Sequence, residues 1–300
     1  MKISYYPGCT LKKNALNLET SALAVGKELG IEMVELPRWN CCGTVFTLAS
    51  DDLMRQAAPI RNLIRVQELG ENQVVTLCSM CYNTLKRANL LVKNDNEKLA
   101  TLNEFMDQEE DYRGDVKVIH LLEILKNDVG FDKIREKVKK PLNGLKVAPY
   151  YGCLLTRPKE IGLDDMEEPT ILHDLVESLG AEVIDDPLKT ECCGAYQTVS
   201  NKEVVADRTY NILTSAQSRG AEAIVLSCPL CDFNLDHRQK DVEEKYHDFE
   251  KIPVFYFTQL MAIAFGMDEN VCGLDLNYVN PLPLLRKKKL IHKKRKRSER

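Results

Sequence analysis

The 300 residues contain no uninterrupted apolar run of the roughly 18 residues that a membrane-spanning helix needs, so no span is expected. No basic-then-apolar leader opens the chain either, because Lys2 is followed at once by a short strand-like run. A Gly-x-Gly-x-x-Gly segment is also missing, which argues against a bound flavin. These absences favour a cytoplasmic protein, where thiols stay reduced and cysteine patterns more often mean metal or catalysis than disulfides. Neither charge sign dominates, since 41 Lys and Arg face 45 Asp and Glu. The distribution is uneven, however: Arg286 to Arg300 holds ten basic residues and only Glu299 as an acid. No aromatic residue is interleaved there, as stacking on bases would want, so nucleic acid is not the expected partner. A tail that keeps to solvent or docks on an acidic partner protein is the simpler expectation.

What the chain does have is cysteine, in one five-membered pattern written twice. The first copy is Cys9, Cys41-Cys42-Gly43 and Cys78-Ser79-Met80-Cys81. The second is Cys153, Cys192-Cys193-Gly194 and Cys228-Pro229-Leu230-Cys231. Only Cys272 of the eleven cysteines stands outside.

The flanking periodicities repeat with the cysteines. Strand-like runs at Ile3–Tyr6, Glu32–Leu36, Gln73–Leu77 and Val116–Ile119 alternate with helical patterns at 16–29, 51–69, 81–92 and 98–108, and another from Leu121. After Pro141-Leu142-Asn143-Gly144 the order restarts. Strands are expected at 145–150, 181–184, 223–226 and 254–257, and helices at 170–179 and 203–218. Alternating strand and helix implies α/β architecture: two pseudo-repeated Rossmann-like domains with mostly parallel sheets. The expected units are 1–140, 145–268 and an extension, 269–300, carrying the basic tail. In each half the first cysteine, the Cys-Cys pair and the Cys-x-x-Cys follow strands one, two and three. Parallel strands bring those ends to one sheet edge, the usual ligand-binding rim. Gly43 and Gly194 allow the sharp turn that two adjacent thiols need to reach one target.

Several occupants suit such a set. A structural zinc site takes four thiolates and would leave a fifth over. Adjacent-cysteine disulfides are strained and would have to arise twice in a reducing compartment. Iron–sulfur clusters are the natural occupants of thiolate-rich sites.

The doubled Cys-x(31–38)-Cys-Cys-Gly-x(33–34)-Cys-x-x-Cys pattern resembles the cysteine-rich CCG-domain family. Within that family it is most similar to the B subunits of heterodisulfide reductase of methanogenic archaea. The resemblance covers residues 1 to about 268. It implies two non-cubane [4Fe-4S] clusters, one held by Cys9, Cys41, Cys42, Cys78 and Cys81. Cys153, Cys192, Cys193, Cys228 and Cys231 would hold the other. It further implies reduction of the coenzyme M–coenzyme B heterodisulfide, each cluster taking one of its two sulfurs. Implied partners are the C and A subunits of the heterodisulfide reductase and, through them, a hydrogenase or formate dehydrogenase. Relatives in the family serve instead in lactate, glycolate, succinate or fumarate redox systems. A zinc-stabilised scaffold with a nucleic-acid-binding tail is a further, unrelated reading.

The implied substrate is anionic at both ends, so cations should line its approach. Lys12 and Lys13 follow Cys9, Arg157 takes the place of Lys13 in the second copy, and Arg38 and Lys189 lie three residues before the Cys-Cys-Gly turns. His120 falls just past a strand, where the second copy is read as having Thr258, and helix capping explains both. His173 matches Leu23, which favours packing over proton donation. Trp39 could shield a cluster or simply pack, and Cys272 is expected to be a bystander.

Overall fold

The computed structural model describes residues 1–44 and 53–291. Among the described residues, eight short strands form two separate four-stranded sheets, each entirely parallel. The first contains β1 (Lys2–Tyr5), β2 (Glu32–Glu35), β3 (Gln73–Thr76) and β4 (Lys117–His120), in the order β2-β1-β3-β4. The second contains β5 (Lys146–Pro149), β6 (Glu182–Val183), β7 (Ala223–Leu226) and β8 (Val254–Tyr256), in the matching order β6-β5-β7-β8. Registers repeat as well: Tyr5 pairs with Val75 as Pro149 pairs with Val225. The doubled α/β reading therefore holds.

The central strands are apolar because helices cover both faces, and Val74, Val75, Ile224 and Val225 are all buried. Helices Leu16–Glu28 and Ile171–Ser178 follow the first strand of each half. Gly30 and Gly180, at φ +75° and +83°, turn the chain out of them. The pattern expected over 51–69 becomes a short 3-10 turn, Leu53–Gln56, leading into helix Ala57–Glu68; Asp51 and Asp52 lie outside the described residues.

The two halves are packed and hydrogen-bonded together. Helix Leu16–Glu28 lies against Phe257–Ala264, where Ser21 Oγ is 2.6 Å from Thr258 Oγ1 in a buried contact. The Tyr82 hydroxyl donates to the Ile161 carbonyl (3.0 Å), and Asn83 Nδ2 donates to the carbonyls of Leu154 (2.9 Å) and Arg157 (2.7 Å). The extension packs back on the body through buried Cys272 and Leu285, and Lys288 pairs with Glu222 at 2.6 Å. The basic residues from 293 onward lie outside the described residues.

Candidate metal centre: two facing thiol nests

The strand order sets the position of every thiol. Cys78 and Cys228 lie two residues past β3 and β7, at the N-caps of helices Ser79–Lys93 and Pro229–Asp232. The second cysteine of each Cys-x-x-Cys then falls in the first helical turn. In the first nest Cys9 Sγ is 3.8 Å from Cys41 Sγ, and Cys42 Sγ is 3.6 Å from Cys81 Sγ, which in turn hydrogen-bonds with Cys78. The second nest repeats the pairing: Cys153 hydrogen-bonds with Cys192, Cys193 Sγ is 3.5 Å from Cys231 Sγ, and Cys228 hydrogen-bonds with Cys231. The nests also approach each other, because the Cys78 and Cys228 thiols come within interaction reach across the two halves.

Repeated local devices build these nests. Gly43 and Gly194 adopt φ +73° and +80°, turning their N–H groups toward Cys41 Sγ (3.5 Å) and Cys192 Sγ (3.4 Å). The tyrosine of each Tyr-x-Gly-Cys segment braces the turn from below. Tyr6 donates to the Asn40 carbonyl at 2.8 Å and Tyr150 to that of Glu191 at 2.6 Å, each the residue just before the Cys-Cys pair. Burial, followed by the surrounding thiol charge, raises both phenols, so they remain donors. Gly8 and Gly152 admit the last thiol: a Cβ there would sit 2.9 Å from Cys81 Sγ and 3.1 Å from Cys231 Sγ. The repeated Gly before the first cysteine was visible in the sequence, but its purpose was not.

Crowding sets the thiols against one another. Hydrogen bonding from Cys153, against the cost of burial and with help from the Gly194 and Ala195 N–H groups, pushes Cys192 down to about 6. Hydrogen bonding to Cys41 and Cys81 likewise lowers Cys42. Their neighbours move the other way: Cys81 is raised by Cys42 and Cys78 and then by burial, and Cys231 by Cys193 and Cys228. Five thiolates in so small a space need several positive charges among them. No group of three or more Cys, His, Asp or Glu among the described residues is arranged around a point suited to one metal ion. A cluster whose irons take thiolates separately fits paired thiols better than a tetrahedral zinc does.

At the second nest lies a narrow cavity of about 10 Å³, lined by thiols of that nest such as Cys193 and Cys228, by Tyr151 and Tyr196, and from the first half by Ser79 and Met80. The much larger surface cavity of about 630 Å³, beside Arg87, Leu91 and Lys98, is lined by none of the thiols.

The expected cations are placed unevenly. Lys12 pairs with Glu19 (2.7 Å) and Glu35 (2.6 Å), and the buried Lys189 with Glu168 and Asp185 (2.7 Å each). Arg38 is exposed and holds Glu68 at 2.5 Å, while Lys13 is exposed. Half-buried Arg157 has one guanidinium nitrogen 3.4 Å from the Met166 carbonyl.

His120 is a cap, with Nδ1 accepting from the Leu122 N–H (3.2 Å) and Nε2 donating to the Leu77 carbonyl (3.0 Å) beside Cys78. Its counterpart is Tyr256 rather than Thr258. His120 pairs with Thr76, Tyr256 pairs with Leu226, and both partners lie two residues before a Cys-x-x-Cys. Thr258 instead joins the halves. His173 accepts or donates at 2.7 Å with the Tyr151 hydroxyl and reaches Asp185 at 3.0 Å. Trp39 packs edge-on against Tyr6, beneath the first Cys-Cys turn.

Sequence reasoning missed Asn234, whose Nδ2 donates to Cys193 O (3.0 Å) and Sγ (3.5 Å), and the 2.7 Å contact between Ser79 and Ser227. Only the proximity of these residues to a Cys-x-x-Cys hinted at a role.

Paired parallel sheets, each with five thiols at the C-terminal ends of its strands, define a duplicated cysteine-rich α/β protein. The family described as "Cysteine-rich domain" (CCG) matches residues 3–86 and 147–236, and the chain belongs to it. It is 32% identical to the 8-methylmenaquinol:fumarate reductase membrane anchor subunit of Wolinella succinogenes, over 94% of this chain and 99% of that one. It is 31% identical to the B subunit of the ferredoxin/F420H2-dependent CoB-CoM heterodisulfide reductase of Methanosarcina acetivorans, over 95% and 96%. A solved structure of a hypothetical protein from Helicobacter pylori shares the fold, with a TM-score of 0.74 at 14% identity; the match covers 92% of this chain and 51% of that one. No helix among the described residues is long and apolar enough to cross a membrane.

Proposed function

We propose that this chain is the disulfide-reducing iron–sulfur subunit of a redox complex, with one non-cubane [4Fe-4S] cluster in each thiol nest. The proposed reactant is the coenzyme M–coenzyme B heterodisulfide, in line with the relatives named as B subunits of heterodisulfide reductases. One observation supports this reading above the rest: the nests lie closely enough for the Cys78 and Cys228 thiols to act on each other. A reactant entering there would present one sulfur to each half. Bound in the nests, the clusters would supply electrons singly to a reaction that consumes two.

The chain's own residues do the positioning. Tyr6 and Tyr150 fix the Cys-Cys turns, and the Gly43 and Gly194 N–H groups steady the outer thiolates. Buried Met80, Tyr151 and Leu77 keep water from the inner ones. Arg157, Lys13 and Arg38 are proposed to meet the anionic ends of the reactant. Lys12 and Lys189 could join them only by exchanging carboxylate partners they already hold. The units 1–140, 145–268 and 269–300 are proposed as two cluster-bearing domains and a packing extension. Electrons would come from partners equivalent to the C and A subunits of a heterodisulfide reductase, at a cytoplasmic site.

A second reading is favoured by the fumarate reductase relative, which this chain matches over nearly its whole length. There the nests would relay electrons between a quinol and a fumarate-reducing partner, with no disulfide. Anaerobic purification followed by iron and sulfide analysis tests the shared premise, with about eight of each expected per chain. Heterodisulfide reduction by a reduced viologen then separates the readings: loaded protein inert toward the disulfide would exclude the first.

A further inference from the structure

We propose that Tyr196 gates the cleft where the second thiol nest meets the first half, and that it selects reactants by size. The inference rests on the reading that a disulfide binds in that cleft. The cavity of about 10 Å³ holds roughly one water, so any dialkyl disulfide must displace part of its wall. Ser79, Met80, Tyr151, Cys193 and Cys228 are at most 4% exposed and belong to the packed core, whereas Tyr196 is 42% exposed. It stands on the short turn Ala195–Gln197, immediately after Gly194, near Cys153, Cys228 and Cys192.

The Tyr196 hydroxyl is tied to the opposite half. It comes within hydrogen-bonding reach of the Thr44 side chain, which itself accepts from Thr84 Oγ1 at 3.0 Å. Thr84 lies on the helix that begins after Cys78, and Thr44 directly follows Gly43. The ring therefore reaches from the Cys-Cys-Gly turn of the second nest to that of the first, closing the cleft. A single neutral hydrogen bond at a partly solvated site is weak, and side-chain rotation there is fast, so the latch can open without unfolding either nest. The residue that matches Tyr196 in the first half is Val45, which has no hydroxyl.

The test uses the full chain, purified anaerobically with its iron, and two thioethers that cannot be reduced. One is slim, bis(2-hydroxyethyl) sulfide; the other carries two 4-carboxybenzyl arms. Association rates are read by stopped-flow, independently of turnover. Tyr196→Ala is expected to raise the rate of the bulky thioether roughly tenfold while changing that of the slim one far less. Tyr196→Phe and Thr44→Val, which keep the bulk and break the tie, are expected to speed both thioethers modestly. Unchanged rates for the bulky thioether in Tyr196→Ala, with wild-type iron content, would overturn the gate and leave the cleft reading standing. Failure of the wild-type protein to bind either thioether would remove the cleft reading and the gate together.

Discussion

Ser79 Oγ and Ser227 Oγ lie 2.7 Å apart in a fully buried contact between residues 148 positions apart in the chain. The two are not equivalent in the repeat, since Ser79 follows the first cysteine of its Cys-x-x-Cys and Ser227 precedes the first of the other. They join the halves at the point where Cys78 meets Cys228. Replacing one serine by alanine leaves the other hydroxyl buried without its partner, at an expected cost of about 1–3 kcal/mol. The double Ser→Ala variant should cost less than the two singles together, as a denaturant double-mutant cycle would reveal. Strict additivity would mean that the hydroxyls do not depend on each other.

Gly8 and Gly152 should limit cluster loading more than folding. An alanine Cβ at Gly8 would press on Cys81 Sγ at 2.9 Å, and at Gly152 on Cys231 Sγ at 3.1 Å, in each case with positive φ besides. Each Gly→Ala variant is expected to lose about half of the iron, with Gly8→Ala the more severely affected. Gly30→Ala is the control, because φ is +75° there but no atom lies within 4 Å. It should cost roughly 1 kcal/mol of stability and keep full iron. Equal iron in all three variants would count against thiol crowding as the cause.

Asn234 holds the second nest through Cys193 O and Sγ while accepting from Thr198 Oγ1 at 2.6 Å. Asn234→Leu removes the N–H···S contact, and hydrogen bonds to cluster sulfurs favour the reduced state. A lower reduction potential for one cluster, with the other unmoved, is the expected result of a redox titration. An identical shift in both would point to a global disturbance.

His120 predicts a pH window. Burial, partly offset by the Leu77 carbonyl, pulls its pKa from 6.5 to about 4. The folded state thus holds the ring neutral while the unfolded chain binds a proton below 6.5. This contribution is complete above pH 6.5 and is lost as pH falls toward 4, in total about 3 kcal/mol. Urea midpoints for His120→Gln should fall less steeply than those of the parent across that window. Parallel slopes would rule the ring out as the titrating group.

Arg157→Ala and Lys13→Ala should weaken binding of an anionic disulfide while leaving the affinity of an uncharged one unchanged. Loss of a charged contact corresponds to about 1.5–3 kcal/mol, or roughly 10- to 100-fold in Kd. Arg38→Ala should weaken it less, because Glu68 already occupies that guanidinium. Equal losses for charged and uncharged disulfides would indicate packing rather than recognition.

The amino-acid sequence alone determined the doubled α/β plan, the strand ends that carry ten thiols, and the glycines that turn each Cys-Cys pair. These follow from local periodicity and from the rule that parallel strands share one C-terminal edge, so neither depends on how the halves meet. Tertiary structure decided which thiols pair, that Cys78 approaches Cys228, and that Tyr196 reaches toward Thr44. It also showed Lys12 and Lys189 already neutralised, and moved the counterpart of His120 from Thr258 to Tyr256. Each of these depends on where one packed surface lands on another. Such contacts join residues tens to hundreds of positions apart, and spacing along a chain does not encode the angle at which two sheets dock.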